Sequence, residues 1–316
     1  MVEDVIVIGG GPAGLSASLY LAREDFHPLV IAGLEAGGQL LLTTTVENYP
    51  GFPDGIQGPE LVDRFRKQSS KFGTRFVDED AISVDLKNRP FTVKTASEEY
   101  KANCIIIATG ASPRLLGLES EKKFIGKGVS TCATCDAPFF KNKKVIVVGG
   151  GDTAMEDSDF LTKFAESVTI VHRRDEFRAS KIMQERVKSN KKINIIWNSE
   201  VVEILGDKKV TGAKIKNNVT GEETTIETDG VFMAIGYSPN TKFLEGVLPM
   251  QNGYIVTKDD VNTDIPGVYI AGDDADFKYR QAATAVGSGV KAALEARAYI
   301  QQLKYDQSKG EQKAQS

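Results

Sequence analysis

Histidine, tryptophan and cysteine are scarce in this chain, with two, one and three residues among 316. With only His27 and His172 to draw on, no Ser-His-Asp or Cys-His nucleophile system can be read from the sequence. A zinc centre built on cysteine would need about two further ligands, and Cys104, His27 and His172 do not stand at ligand spacing. No apolar run is long enough for a membrane span. The formal charge of −4 gives no reason to expect nucleic acid as a partner. Met1-Val2-Glu3-Asp4 has neither the basic start nor the cleavage site of a signal peptide, so a cytoplasmic protein is expected. What remains is 41% hydrophobic and 26% charged, with 30 glycines, which is the composition of a globular protein rich in tight turns. The length predicts two domains, each large enough for a core of its own.

Two of the three cysteines stand together in Ser130-Thr131-Cys132-Ala133-Thr134-Cys135-Asp136. A Cys-x-x-Cys pair closes a small reducible disulfide, and its attacking thiol typically has a pKa lowered toward ~7 from about 8.5. Stable structural disulfides are rare in the cytosol, which favours a working pair over a structural one. In a chain without a catalytic histidine, Asp136, next to Cys135, is the candidate proton carrier. Cys104 sits in an apolar run and reads as a core residue.

Two glycine-rich turns lie about 140 residues apart. The first, Gly9-Gly10-Gly11-Pro12-Ala13-Gly14, follows an apolar strand and opens an Ala/Leu-rich helix. Glycines there let a backbone approach a pyrophosphate lying on the helix N-terminus. Glu35 stands about 20 residues on, where a ribose hydroxyl needs an acceptor. The second turn, Gly149-Gly150-Gly151-Asp152-Thr153-Ala154, repeats the device after the strand Lys144 to Val148. Two copies imply two dinucleotides. The strand after the second turn ends in His172-Arg173-Arg174, with Arg178 following, instead of in an acid. Guanidiniums grip a 2′-phosphate with charge-assisted hydrogen bonds where a carboxylate would repel it, so the second site is expected to take NADPH.

Between these landmarks, Gly37 to Leu40 and Val46 to Phe52 form a long polar loop. Ala111-Ser112-Pro113 and Gly236 to Asn240 read as crossings between domains, and 201–228 as a small antiparallel layer. An apolar strand ends in Gly272-Asp273, and an Ala-rich helix follows from Arg280-Gln281-Ala282 to about Tyr299, a junction that could hold the polar edge of a flavin. The tail from Gln307 is polar and is expected to be disordered.

In their order and spacing these motifs resemble the low-molecular-weight NADPH-dependent thioredoxin reductases over almost the whole chain. The likeness rests on both glycine turns, Gly37 to Leu40, Glu47-Asn48-Tyr49-Pro50-Gly51-Phe52, the Cys132 to Asp136 motif, His172 to Arg174 with Arg178, Gly272-Asp273 and Tyr279 to Ala282. The resemblance implies an α/β fold of two Rossmann-like three-layer dinucleotide-binding domains, with the NADPH domain inserted into a discontinuous FAD domain. The expected boundaries are 1–113 and 243–316 for FAD, and 114–242 for NADPH and the Cys pair. FAD contacts are expected from Gly9, Gly11, Pro12, Ala13, Gly14, Glu35, Gln39, Asn48, Asp273, Arg280, Gln281 and Ala282. NADPH contacts are expected from Gly151, Asp152, Thr153, Ala154, His172, Arg173, Arg174 and Arg178. Cys135 is carried over as the thiol nearest the flavin and Cys132 as the one that attacks the partner, thioredoxin or a thioredoxin-like protein. A homodimer is implied as well. Two departures stand out: Ala137-Pro138 where many members have a Gly-initial pair, and Asp274-Ala275 where a Val is common. A redox sensor that binds flavin and nucleotide without turnover is the opposed reading, and the intact Cys pair argues against it.

Overall fold

A computed structural model describes residues 2–314, with side chains to 309. The chain divides into two compact units, Met1–Ser112 with Pro239–Ser316, and Pro113–Ser238. Each consists of a sheet covered on both faces.

In the first unit the strand Val2–Ile8 pairs in parallel with Leu29–Ile31 on one side and Glu99–Ile107 on the other. Side chains alternate across a strand, so Val5 and Val7 enter one core while Ile6 and Ile8 enter the opposite one. The first core is closed by the helices Pro12–Ala22 and Ala282–Ala314, through Ala13, Ala17, Leu21, Ala292, Ala293, Ala296 and Ile300. These small residues let the helices approach closely: a Cβ added at Gly289 would lie 2.2 Å from the Ala13 carbonyl oxygen. The strand Glu99–Ile107 is longer than its apolar run because it has two successive partners on one side. Its first half pairs antiparallel with Phe91–Lys94, and its second half parallel with Val268–Ile270. Cys104 is fully buried in this strand, and burial pushes its thiol far up, so the residue is inert core.

The second unit is built around a five-stranded parallel sheet in the order Val129–Ser130, Gly230–Met233, Lys144–Val148, Ser167–Val171, Ile193–Ile196. The helices Asp152–Leu161 and Lys181–Ser189 cover one face through Met155, Leu161 and Val187. The antiparallel layer Ser199–Gly206, Val210–Asn217 and Glu223–Glu227 covers the other, through Val201, Ile204, Val210, Ala213 and Ile215. Both units are α/β with a parallel sheet at the centre.

One expectation is overturned. The C-terminal segment from Gln307 is helical as far as Ala314, a continuation of the helix expected to end near Tyr299. Gln302 Nε2 donates to Asp306 Oδ1 at 2.8 Å one turn on, and Lys304 Nζ reaches Asp4 at 2.7 Å. Polarity marked this stretch as solvent-exposed, but its Ala, Gln, Lys and Glu are good helix formers.

Candidate active site

The first glycine turn is shaped by close approach. A Cβ on Gly9, whose φ is +119°, would lie 2.0 Å from the Ala108 carbonyl oxygen, and one on Gly14 would lie 2.0 Å from Gly9 O. Gly11 differs: a Cβ there would meet nothing within 4 Å. Gly11 is also the N-cap of the helix Pro12–Ala22, and it supplies no side-chain hydrogen bond to the first turn. The turn therefore presents backbone N–H groups and a helix dipole to open space, which is the chemistry a pyrophosphate requires.

Two further segments meet this turn. A Cβ on Gly38 would lie 3.9 Å from Gly11 Cα, which brings the Gly38–Leu42 segment, carrying Gln39, alongside. A Cβ on Gly272 would lie 3.0 Å from Ala13 Cβ, so Asp273 follows a backbone that touches the first helical turn. Asp273 is half-buried, and its carboxyl is pushed up to about 7 by burial and by Asp276, with Arg280 pulling the other way. The loop that ends at Gln281 is wound about Asp276, which accepts from the backbone N–H groups of Lys278, Tyr279 and Arg280 at 2.9, 2.8 and 3.2 Å. Asn48 Nδ2 donates to Gln281 Oε1 at 3.2 Å, which joins two expected flavin residues 233 positions apart. Glu35 is exposed beyond the strand Leu29–Ile31, and Ala282 opens the C-terminal helix. Segments from both ends of the chain, at Gly38 and at Gly272, thus meet one glycine cradle, whose open backbone fits the pyrophosphate of FAD.

The second turn repeats the pattern in its own unit. A Cβ on Gly149 would lie 2.4 Å from Ala234 O, whereas Gly151 again faces nothing within 4 Å. Here Ala154 is fully buried in the place Gly14 takes in the first turn. The loop after His172 is tied over this turn. Arg178 N donates to Gly150 O at 2.8 Å, and Ser180 donates to Asp152 Oδ1 through both N and Oγ at 2.9 Å. These two bonds hold the Asp152 carboxyl below its ordinary range. Thr153 is half-buried in the first turn of the helix. Arg173, Arg174 and Arg178 are exposed, and none has an ion pair among the described residues. Three unneutralised guanidiniums beside an open glycine turn fit the 2′-phosphate of NADPH.

His172 is placed differently from its arginine neighbours. It is buried against Phe177 and Trp197, its Nε2 lies 2.9 Å from Glu176 O, and a Cβ on Gly150 would meet its ring at 2.2 Å. Burial lowers its pKa, which favours the neutral ring, and the ring braces the glycine turn at Gly150.

In the same unit Cys132 and Cys135 form a disulfide with Cα atoms 5.3 Å apart. Cys132 is the N-cap of the four-residue helix Ala133–Asp136, and its carbonyl accepts from Cys135 N at 3.3 Å and Asp136 N at 3.1 Å. Both cysteines are partly exposed. Burial raises the Asp136 carboxyl above its ordinary value, and a hydrogen bond with Ser130 moderates the rise. Ala137 and Phe140 root the motif in the core, where Phe140 meets Phe232 edge-on at 5.0 Å, while Pro138 and Phe139 are exposed. The geometry offers an accessible dithiol/disulfide pair beside a carboxyl whose burial favours the protonated form. Sequence reasoning assigns no role to the hydroxyls of Ser130, Ser180, Thr109 and Tyr237, because the partner each meets is set by tertiary contact and leaves no spacing signal.

Comparison with known proteins agrees with this construction. The family profile of pyridine nucleotide-disulphide oxidoreductases matches residues 3–289. A thioredoxin reductase of Mycolicibacterium smegmatis is 48% identical over 301 residues, covering 95% of this chain and 97% of that protein. One from Rickettsia bellii is 51% identical over 306 residues, covering 95% and 99%. The crystal structure of thioredoxin reductase from Streptococcus pyogenes superposes with a TM-score of 0.91 at 39% identity, covering 95% of this chain and 99% of that one. The chain belongs to the pyridine nucleotide-disulphide oxidoreductases and, within them, to the thioredoxin reductases.

Proposed function

We propose that this enzyme moves reducing equivalents from NADPH through FAD to the Cys132–Cys135 disulfide and on to the disulfide of thioredoxin or a thioredoxin-like protein. The observation that carries the reading is the partly exposed disulfide beside a half-buried acid, in one unit with a nucleotide turn whose arginines are unneutralised. When bound, the flavin accepts a hydride from the nicotinamide and passes two electrons to a disulfide. The chain's own residues do the rest. Gly9, Gly11, Pro12, Ala13 and Gly14 cradle the FAD pyrophosphate, and Glu35, Gln39, Asn48, Asp273, Arg280, Gln281 and Ala282 orient the cofactor. Gly151, Asp152, Thr153 and Ala154 receive the NADPH pyrophosphate, and Arg173, Arg174 and Arg178 hold the 2′-phosphate over the turn that His172 braces.

In the reduced enzyme the Cys132 thiolate attacks one sulfur of the partner disulfide. A mixed disulfide forms, and the departing partner thiolate takes a proton. Cys135 then attacks Cys132 Sγ, which restores the enzyme disulfide and releases the second partner thiolate. Asp136 supplies and recovers the proton at Cys135.

This reading includes a homodimer and a cytoplasmic location. No helix among the described residues is long and apolar enough to cross a membrane. The test is an assay on the purified yellow protein: NADPH-driven reduction of thioredoxin at a steady rate supports the proposal, and flavin bleaching without thioredoxin turnover rejects it. Light scattering on the same sample reads the oligomeric state.

A further inference from the structure

The peptide unit between Thr131 and Cys132 is held at both ends by side chains. Its carbonyl accepts a hydrogen bond from Tyr237 Oη at 2.7 Å, across 106 positions of sequence. Its N–H donates to Ser130 Oγ at 3.1 Å, and Ser130 is buried. A trans peptide is a rigid plane, so fixing both its oxygen and its nitrogen fixes its rotation, and with it the backbone that carries Cys132. On the other side of Cys132 the carbonyl is already bound by the Cys135 and Asp136 N–H groups.

While the disulfide is closed this clamp is redundant, because the S–S bond holds the two residues together. Once the disulfide is reduced, only hydrogen bonds keep the Cys132 thiol in register with Cys135. The same segment must then present Cys132 to a partner and return it for resolution by Cys135. We propose that Tyr237, acting with Ser130, is a positioning residue for the attacking thiol, clamping the peptide ahead of Cys132 so that the open dithiol keeps the arrangement from which the disulfide re-forms. This rests on the reading of Cys132 as the attacking thiol. Tyr237 lies in the segment Tyr237–Pro239, far from the redox motif in sequence, and takes no part in the covalent exchange.

The test compares the holoenzyme with Tyr237→Phe, which removes one hydroxyl and keeps the ring. The first readout is the equilibrium of enzyme disulfide plus two glutathione thiols with enzyme dithiol plus oxidised glutathione, followed by thiol counting. Loss of one hydrogen bond that favours the closed arrangement should shift this equilibrium toward the dithiol by about two- to tenfold. The kcat for thioredoxin should fall by a similar factor, with flavin bleaching by NADPH at the parent rate. Ser130→Ala should shift the equilibrium in the same direction, and the double variant should be less than additive because both groups hold one peptide. An unchanged equilibrium and kcat in Tyr237→Phe would overturn the clamp, as would a parallel loss of flavin bleaching, which would make the phenol a general support. Were the parent enzyme itself inactive on thioredoxin, the proposed function would fail, while the glutathione equilibrium would still decide the clamp.

Discussion

Asp274 accepts both the backbone N–H and the hydroxyl of Thr109, each at 2.7 Å, at a position with no solvent exposure. The Asp274 carbonyl takes the N–H of Ile255 at 2.9 Å, and Asn240 Nδ2 donates to Thr109 O at 2.9 Å. One acid thus fastens the end of the strand Glu99–Ile107 to the C-terminal half of its unit. The bonds do not fully offset the cost of burial, which pushes the carboxyl up to about 7.

That cost predicts a pH dependence. The folded value lies above the ordinary carboxylate value of about 3.9, so the stability Asp274 contributes is fully present below about pH 4 and is lost as pH rises through about 7. Asp274→Asn cannot ionise. The melting temperature of that variant relative to the parent should climb from about pH 4 to 7 and level off above about 8. Asp273 titrates in both proteins, so the difference isolates position 274 apart from the repulsion between the two acids. A difference that stays flat with pH would show that the buried carboxyl is fully compensated.

The frame of this structure was legible in the sequence wherever glycine, apolar runs and order coincide. The strands Lys144–Val148 and Ser167–Val171 end where their apolar runs do and begin one residue before them, because each is a buried parallel strand. The strand ending at Ile107 extends beyond its apolar run, since Glu99 to Asn103 is strand through its pairing with Phe91–Lys94, a tertiary cause. At the site, the glycines and cysteines announce themselves by spacing. Asp274 was visible as a departure from the family pattern, but its partner was not: nothing local says that a threonine 165 positions away will meet it. His172 shows the reverse limit, since sequence places it beside the arginines and cannot say that its ring points inward.

The thiols separate the two halves of the reaction. Reduction of flavin by NADPH does not use Cys132 or Cys135, so Cys132→Ser and Cys135→Ser should each abolish thioredoxin reduction while leaving flavin bleaching intact. Stopped-flow absorbance of the flavin beside a steady-state thioredoxin assay measures both. Near-normal thioredoxin turnover in either variant would remove the disulfide from the path.

The arginines should act on one cofactor only. A hydrogen bond to a charged phosphate contributes about 1.5 to 3 kcal/mol, so replacing Arg173, Arg174 or Arg178 with Ala should weaken NADPH by roughly tenfold or more. NADH lacks the 2′-phosphate and should change little. Titrating both cofactors against each variant decides it, because equal losses would make these side chains structural.

Phe139 and Phe140 stand side by side in sequence and face different surroundings. Phe140 is buried in the core against Phe232, and a Cβ on Gly230 would lie 2.2 Å from its ring, which leaves that ring no freedom. Phe140→Ala should therefore destabilise the fold by about 3 to 5 kcal/mol, read by denaturant unfolding. Phe139 is 37% exposed and follows the exposed Pro138, one turn past the disulfide. Phe139→Ala should leave stability within about 1 kcal/mol of the parent and raise the KM for thioredoxin, because an aromatic side chain beside a thiol that must meet a protein is a natural contact. Flavin bleaching by NADPH should not change in that variant. An unaltered KM in a folded Phe139→Ala enzyme would place the docking surface elsewhere on the unit, away from the departure at Ala137-Pro138.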